Sequence, residues 1–223
     1  SYYQNYDDHF WRCYQFIEDA FSYQVAGEPA HMYEAGSVFG RFQKLLSDYP
    51  ADTLHEVIPD FHNTWDRMTK FKKALAEDVC GRAGDVAAEV DFVLQREADT
   101  RVLTDLLAAG RLPLRVTHND TKLNNVLMDR TSRKGLCAID LDTVMPGLSL
   151  YDFGDAIRSG ANPAPEDETM LSRVRMEMPF YEAYVKGYLS AAGDTLTPEE
   201  IRLLPMGAKV MTLECGIRFL TDY

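Results

Sequence analysis

Large apolar side chains fall three or four residues apart at Val38, Phe39, Phe42, Leu45 and Leu46, and the run closes at Tyr49-Pro50. This spacing predicts a helix over 32–46 with one buried face. The same period recurs over about 65–80 and about 85–109, the second stretch ending at Gly110, where a left-handed residue belongs after a last turn. The texture then changes. Leu112–Thr117 and Leu136–Ile139 are short β-leaning runs, the second preceded by a polar turn around 132–135, and together they predict a small β-hairpin bracketing a polar loop. Beyond Pro146-Gly147 helical spacing returns at about 151–158, 176–191 and from 198 onward, with Thr197 as N-cap and Pro198 in the first turn. At the other end, the aromatic-rich alternation from Trp11 to Ile17 predicts a strand, which Glu18-Asp19 break with charge. The pattern is α+β and mainly helical, without repeats.

With 223 residues and 46% apolar composition, the chain can bury a substantial core. Its formal charge of −12 argues against a nucleic-acid partner, which needs a clustered positive field. Cys13, Cys80, Cys137 and Cys215 are widely spaced, suggesting neither a zinc knuckle nor a disulfide framework and pointing to a reducing compartment. No apolar run approaches the roughly 20 residues of a membrane span and no leader opens the chain, so a cytoplasmic location without membrane contact is expected. Ile217–Tyr223 reads as the interior of an amphipathic helix with no stop signal, so the chain is expected to be part of something longer.

The strongest chemical signal is His118-Asn119-Asp120-Thr121-Lys122-Leu123-Asn124-Asn125, which fits H-x-D-x-x-x-x-N at every defined position. Fifteen residues after Asn125 comes Asp140, directly behind an apolar strand, in Ile139-Asp140-Leu141-Asp142. In phosphoryl transfer a loop aspartate accepts the proton of the attacking hydroxyl, while an asparagine and a later aspartate hold magnesium on the phosphates. Magnesium takes hard oxygen ligands, so Asp120 as base with Asn125 and Asp140 as ligands suits the chemistry. Lys122, two residues past the base, is placed to reach the transferring group. His118 is expected to pin the loop by hydrogen bonding. Asp152 and Asp155 fall on a predicted first helical turn, where carboxylates complement the dipole, with Arg158 as partner; they are expected to support the site. His55 and His62 lack a third ligand at metal-site spacing and read as core or surface histidines.

The run Arg115–Asn125, with Ile139-Asp140-Leu141-Asp142-Thr143-Val144-Met145-Pro146-Gly147 and Tyr151-Asp152-Phe153-Gly154-Asp155, resembles the N-acetylhexosamine 1-kinases, a branch of the aminoglycoside phosphotransferase and choline kinase superfamily. The likeness extends along most of the chain, from Trp11 through Arg218 to Tyr223. It implies a protein-kinase-like fold, with residues 1–20 as the last strand and hinge of a largely absent N-terminal lobe. Residues 21–223 would be the C-terminal lobe, with a catalytic loop at 115–125 and a metal hairpin at 136–147, truncated at both ends. It also implies ATP and Mg2+ as cofactors and phosphorylation of the anomeric hydroxyl of N-acetylglucosamine or N-acetylgalactosamine. Asp120 would be the base, Asn125 and Asp140 the metal ligands, Asp142 an aid to the metal or sugar site, and Arg218 a sugar contact. Phe16, Ile17, Glu18 and Asp19 would lie beside the adenine. Family members carry a phosphate-covering loop and a strand lysine that residues before Trp11 are too few to supply, so weak nucleotide binding and little turnover are expected of residues 1–223 alone. The rival expectations are a kinase for choline, an aminoglycoside or homoserine, and a silent kinase-shaped binding module.

Overall fold

A computed structural model describes residues 2–4, 6–7, 9–165 and 168–223. It is mainly helical, with small antiparallel sheets. At the N-terminus β1 (Tyr2–Gln4) pairs with β2 (Phe10–Arg12), Tyr3 facing Trp11. The strand expected over 11–17 therefore stops at Arg12. Tyr14 and Phe16 stay exposed because the alternation has no apolar face to bury against. A short β3 (Ala20–Phe21) follows, and then α1 (Pro29–Leu45) and α2 (Thr64–Glu77), the latter capped by the Asn63 side chain on Asp66 N.

The single helix expected over 85–109 is broken. A 3-10 turn (Ala83–Val86), α3 (Ala87–Leu94), a second 3-10 turn (Glu97–Arg101) and α4 (Val102–Ala108) replace it, and Gly110 takes the left-handed conformation. Val90 and Val93 belong to a small apolar cluster with Met68, Phe71, Leu213 and Ile217, whereas Leu103 belongs to the main core. One straight helix could not serve both clusters.

The expected hairpin is also different. Strand β4 (Arg115–Thr117) pairs with β7 (Met145–Gly147), whereas β5 (Val126–Asp129) pairs with β6 (Gly135–Ala138) and β3, so the segment 136–147 spans two sheets. The Asp129 carboxylate closes the β5–β6 turn by accepting from the amides of Thr131 and Ser132. The two sheets hold the polar loop between β4 and β5 at both ends.

Helices α5 (Ser149–Gly160), α6 (Met178–Ala192) and α7 (Pro198–Asp222) complete the chain. Helix α1 packs on α6 and α5 on α7. The capping box of Thr197 and Glu200 starts α7, and Glu200 is buried. Its carboxylate accepts a bidentate pair from Arg115 (2.6 and 2.7 Å) and a bond from Ser149 Oγ (2.7 Å), tying β4, α5 and α7 together. Burial alone would raise the Glu200 carboxyl; Arg115, the Thr197 amide and Ser149 outweigh it and hold it below its ordinary value.

The α5–α7 crossing is close because Gly154 faces the carbonyl of Gly207, and a side chain on Gly207 would stand 2.5 Å from the Leu150 carbonyl. Gly154→Val should therefore cost about 1–3 kcal/mol through overpacking, read as a lower denaturant midpoint. Gly216→Ala, with open space around it on α7, should be neutral or gain up to about 1 kcal/mol of helix propensity. Equal midpoints for both variants would show that the crossing is not tight.

Candidate active site

The loop from His118 to Asn125 is held from behind by α5. Asp152 is fully buried; its Oδ2 accepts from His118 N (2.9 Å) and Gln43 Nε2 (2.7 Å), and its Oδ1 accepts from Asn119 N (2.8 Å). Burial pushes this carboxyl up, and the donated bonds from His118, Asn119 and Gln43 oppose that shift. Asp155 Oδ2 accepts from Thr121 N (2.9 Å), Thr121 Oγ1 donates to the Asp152 carbonyl (2.6 Å), and Arg158 pairs with Asp155 Oδ1 (2.8 Å). Asp152 sits in the first turn of α5, but Asp155, the seventh of its twelve residues, lies beyond that turn, so the first-turn expectation fails for Asp155; helix α5 starts at Ser149, and both carboxylates bind loop amides.

From the front, Thr143 Oγ1 donates to His118 O (2.6 Å), and Asn119 Nδ2 donates to Thr143 O (2.9 Å). The buried His118 ring packs edge-on against Phe39 and Phe42, and its Nε2 donates to Ile139 O (2.9 Å). Asn119 is left-handed at φ 63°, a conformation asparagine tolerates better than most residues.

This frame presents Asp120 half-buried. Asn125 Nδ2 donates to both the carbonyl (2.9 Å) and Oδ2 (3.0 Å) of Asp120, and Lys122 Nζ lies 3.8 Å from its Oδ1. Ile139 N donates to Asn125 O at 2.9 Å, which joins the strand end carrying Asp140 to the loop. Asp140 is exposed and left-handed, φ 62°. Asn125 and Asp140 are hard oxygen donors suited to magnesium, and the bonds from the Asn125 amide nitrogen to Asp120 leave its oxygen as the ligand atom. Among the described residues no group of three His, Cys, Asp or Glu side chains is placed to hold a metal ion.

The sequence model of the phosphotransferase enzyme family, the aminoglycoside phosphotransferase and choline kinase-like group, matches residues 8–204. The chain belongs to this family. In this phosphotransferase the matched span contains every loop residue above, with Asp140, Asp152 and Asp155, whereas Arg218 lies beyond it.

The structure does not gather all the expected residues. The exposed Asp142 carboxylate forms an ion pair with Arg12 of β2, whose guanidinium is held above its ordinary value by that charge. Arg218 lies on the exposed side of α7 with its guanidinium over the Phe219 ring, 5.1 Å from the centroid. Phe16 and Ile17 are exposed ahead of β3. Asp19 is left-handed, and its carbonyl accepts from Arg130 N (2.8 Å), so it is committed to the β5–β6 turn.

Residues outside the motif also join the site. Gln43 lies on the buried face of α1 and Glu214 on that of α7, each a polar side chain among Phe39 or Val210, Met211 and Ile217. A polar residue on an apolar helical face was the available signal. His62 bridges Glu214 and the carbonyl of Asn119 (2.8 and 3.2 Å), 57 positions away in sequence. Beside it lies a cleft of about 300 Å³ lined by Glu56, Asp60, Phe61, Asn63, Asn119 and Met145 among others. No helix among the described residues is long and apolar enough to cross a membrane.

Proposed function

We propose that the site transfers the γ-phosphoryl group of magnesium–ATP to the anomeric hydroxyl of an N-acetylhexosamine. The observation that carries the chemistry is Asp120, held by Asn125 on a loop whose amides are bound by buried carboxylates, with Asp140 joined to it through the Ile139–Asn125 bond. The hydroxyl proton goes to Asp120, the acceptor oxygen bonds to the γ-phosphorus, and the bond to the β,γ-bridging oxygen breaks as ADP leaves. Bound magnesium, held by Asn125 and Asp140, would neutralise charge on the phosphates. Lys122, beside Asp120, supplies positive charge near the transferring group. The adenine would be read ahead of Asp19, by Phe16, Ile17 and Glu18.

The sugar class is supported by the Leu141–Gly147 wording and by the cleft at Asn119, where Glu56, Asp60 and Asn63 offer hydroxyl partners and Phe61 and Met145 an apolar face. Glu56 and Asp60, with the net charge of −12, favour a second reading, a cationic acceptor such as choline or an aminoglycoside. The deciding experiment gives the protein magnesium–ATP with N-acetylglucosamine, N-acetylgalactosamine, choline, an aminoglycoside and homoserine, following ADP release and phosphorus NMR of the product. An anomeric phosphate from the amino sugars alone supports the first reading. Faster transfer to choline or the aminoglycoside replaces it with the second.

A further inference from the structure

His62 stands in a loop far from the motif, yet both of its ring nitrogens are engaged. Nδ1 lies 2.8 Å from Glu214 Oε1 and Nε2 lies 3.2 Å from the carbonyl oxygen of Asn119. Glu214 accepts from Thr64 Oγ1 at its Oε2 (2.5 Å), and the Arg67 guanidinium, whose Nε donates to Phe61 O, lies 3.5 Å from its Oε1 as an ion-pair partner. A carboxylate facing Thr64 and Arg67 is an acceptor only, and so is a backbone carbonyl. A neutral imidazole carries one N–H and cannot donate to both. The geometry therefore fits an imidazolium.

The carbonyl it grips belongs to the peptide plane between Asn119 and Asp120. The other edge of that plane is held weakly, Asp120 N reaching His118 Nδ1 only at 3.4 Å, and Asn119 is left-handed. Asp152 and Asp155 fix the backbone amides of Asn119 and Thr121 on either side of this plane, Thr143 O accepts from the Asn119 side chain, and His62 contacts the plane itself.

We propose that His62 and Glu214 are positioning residues for the catalytic loop, a doubly protonated His62 holding the Asn119 carbonyl and so fixing the direction in which Asp120 presents its carboxylate. The proposal rests on Asp120 being the base. Burial alone would push the His62 imidazole down, but the hydrogen bond and charge of Glu214, then Asp155 and the Asn119 carbonyl, hold it above its ordinary value. The other groups facing it are Arg67, the Asp155–Arg158 pair, the buried Tyr151 phenol, itself pushed up by burial, and Asp60 and Glu56 across the cleft. The raised value means that the His62 contacts are complete below about pH 6.5 and are lost as pH rises through the folded-state value.

The test is NMR on residues 1–223 with labelled imidazole nitrogens. We expect both ring nitrogens of His62 to be protonated at pH 7, and the Asn119 carbonyl carbon and Asp120 amide to titrate with the same midpoint as the ring. Glu214→Gln should lower that common midpoint by about 1 pH unit or more. In turnover assays kcat should fall about 10- to 100-fold across the same midpoint, with KM for ATP unchanged, and Glu214→Gln should move that limb with it. A His62 ring with one proton at pH 7, or Asn119 and Asp120 signals indifferent to its titration, overturns the proposal. If Glu214→Gln fails to fold, the wild-type titration decides alone. The NMR result does not depend on Asp120 chemistry, whereas an Asp120→Asn protein that still transfers phosphate would sink the proposed function and leave the His62 contact standing.

Discussion

Asp152→Ala should lower stability by about 3–5 kcal/mol and loosen the loop that carries Asp120, although Asp152 itself is buried behind it. The substitution strands three donors, His118 N, Asn119 N and Gln43 Nε2, in a site where the carboxylate is fully buried. Each buried donor left without a partner costs about 1–3 kcal/mol. A buried ionic group can often be exchanged for well-packed apolar residues at no loss, provided its partners are exchanged too. Here two of the partners are backbone amides, which no substitution removes, so that route is closed. Asp152→Asn keeps one acceptor oxygen and turns an NH2 toward a donor, and should cost about 1–3 kcal/mol. Denaturant unfolding gives the stabilities, and hydrogen exchange at 118–121 reports the loop. A wild-type midpoint for Asp152→Ala would refute the assignment.

Asp120→Asn should cut kcat by about 10²–10⁴, the usual contribution of a positioned general base, with little change in thermal midpoint because the carboxylate is partly exposed. Asp140→Asn should also be slow, but for a different reason. It removes an anionic ligand, so activity should recover in part as magnesium is raised. The two variants are told apart by a magnesium titration of activity: recovery for Asp140→Asn and none for Asp120→Asn. Recovery of both, or of neither, would mean that base and ligand roles have been misassigned. Asp142→Ala should leave the denaturant midpoint essentially unchanged, since its partner Arg12 is an exposed surface cation.

The helices were legible where one apolar face served one core. The spacing of Val38, Phe39 and Phe42 places α1 within three residues of its observed start and one of its end, and Thr197-Pro198 gives the start of α7. The stretch 85–109 misled because its apolar residues satisfy a continuous helical period while packing into two clusters. Periodicity reports that a face is apolar, not what it meets. Strand pairing was illegible for a related reason: β4, β6 and β7 are three or four residues long, and nothing in so short a run names its partner. In the candidate site, spacing placed Asp120 and Asn125 on one loop, and the structure brings them into contact, because a loop motif is local. The bonds from Gln43, His62 and Glu214 cross 57 to 152 positions, and sequence spacing does not pair residues so far apart.

Asp152 and Asp155 hold the loop largely by its main chain: His118 N, Asn119 N and Thr121 N are the atoms bound. Every residue except proline offers that same N–H, so this attachment is indifferent to which side chains the loop displays. On the proposed function, the anchoring of the base is thereby separated from the choice of acceptor. A descendant of this chain could exchange side chains around the cleft and take up a new alcohol without first having to rebuild the anchor of the proposed base, which is one physical route by which a single scaffold diversifies among hydroxylated substrates.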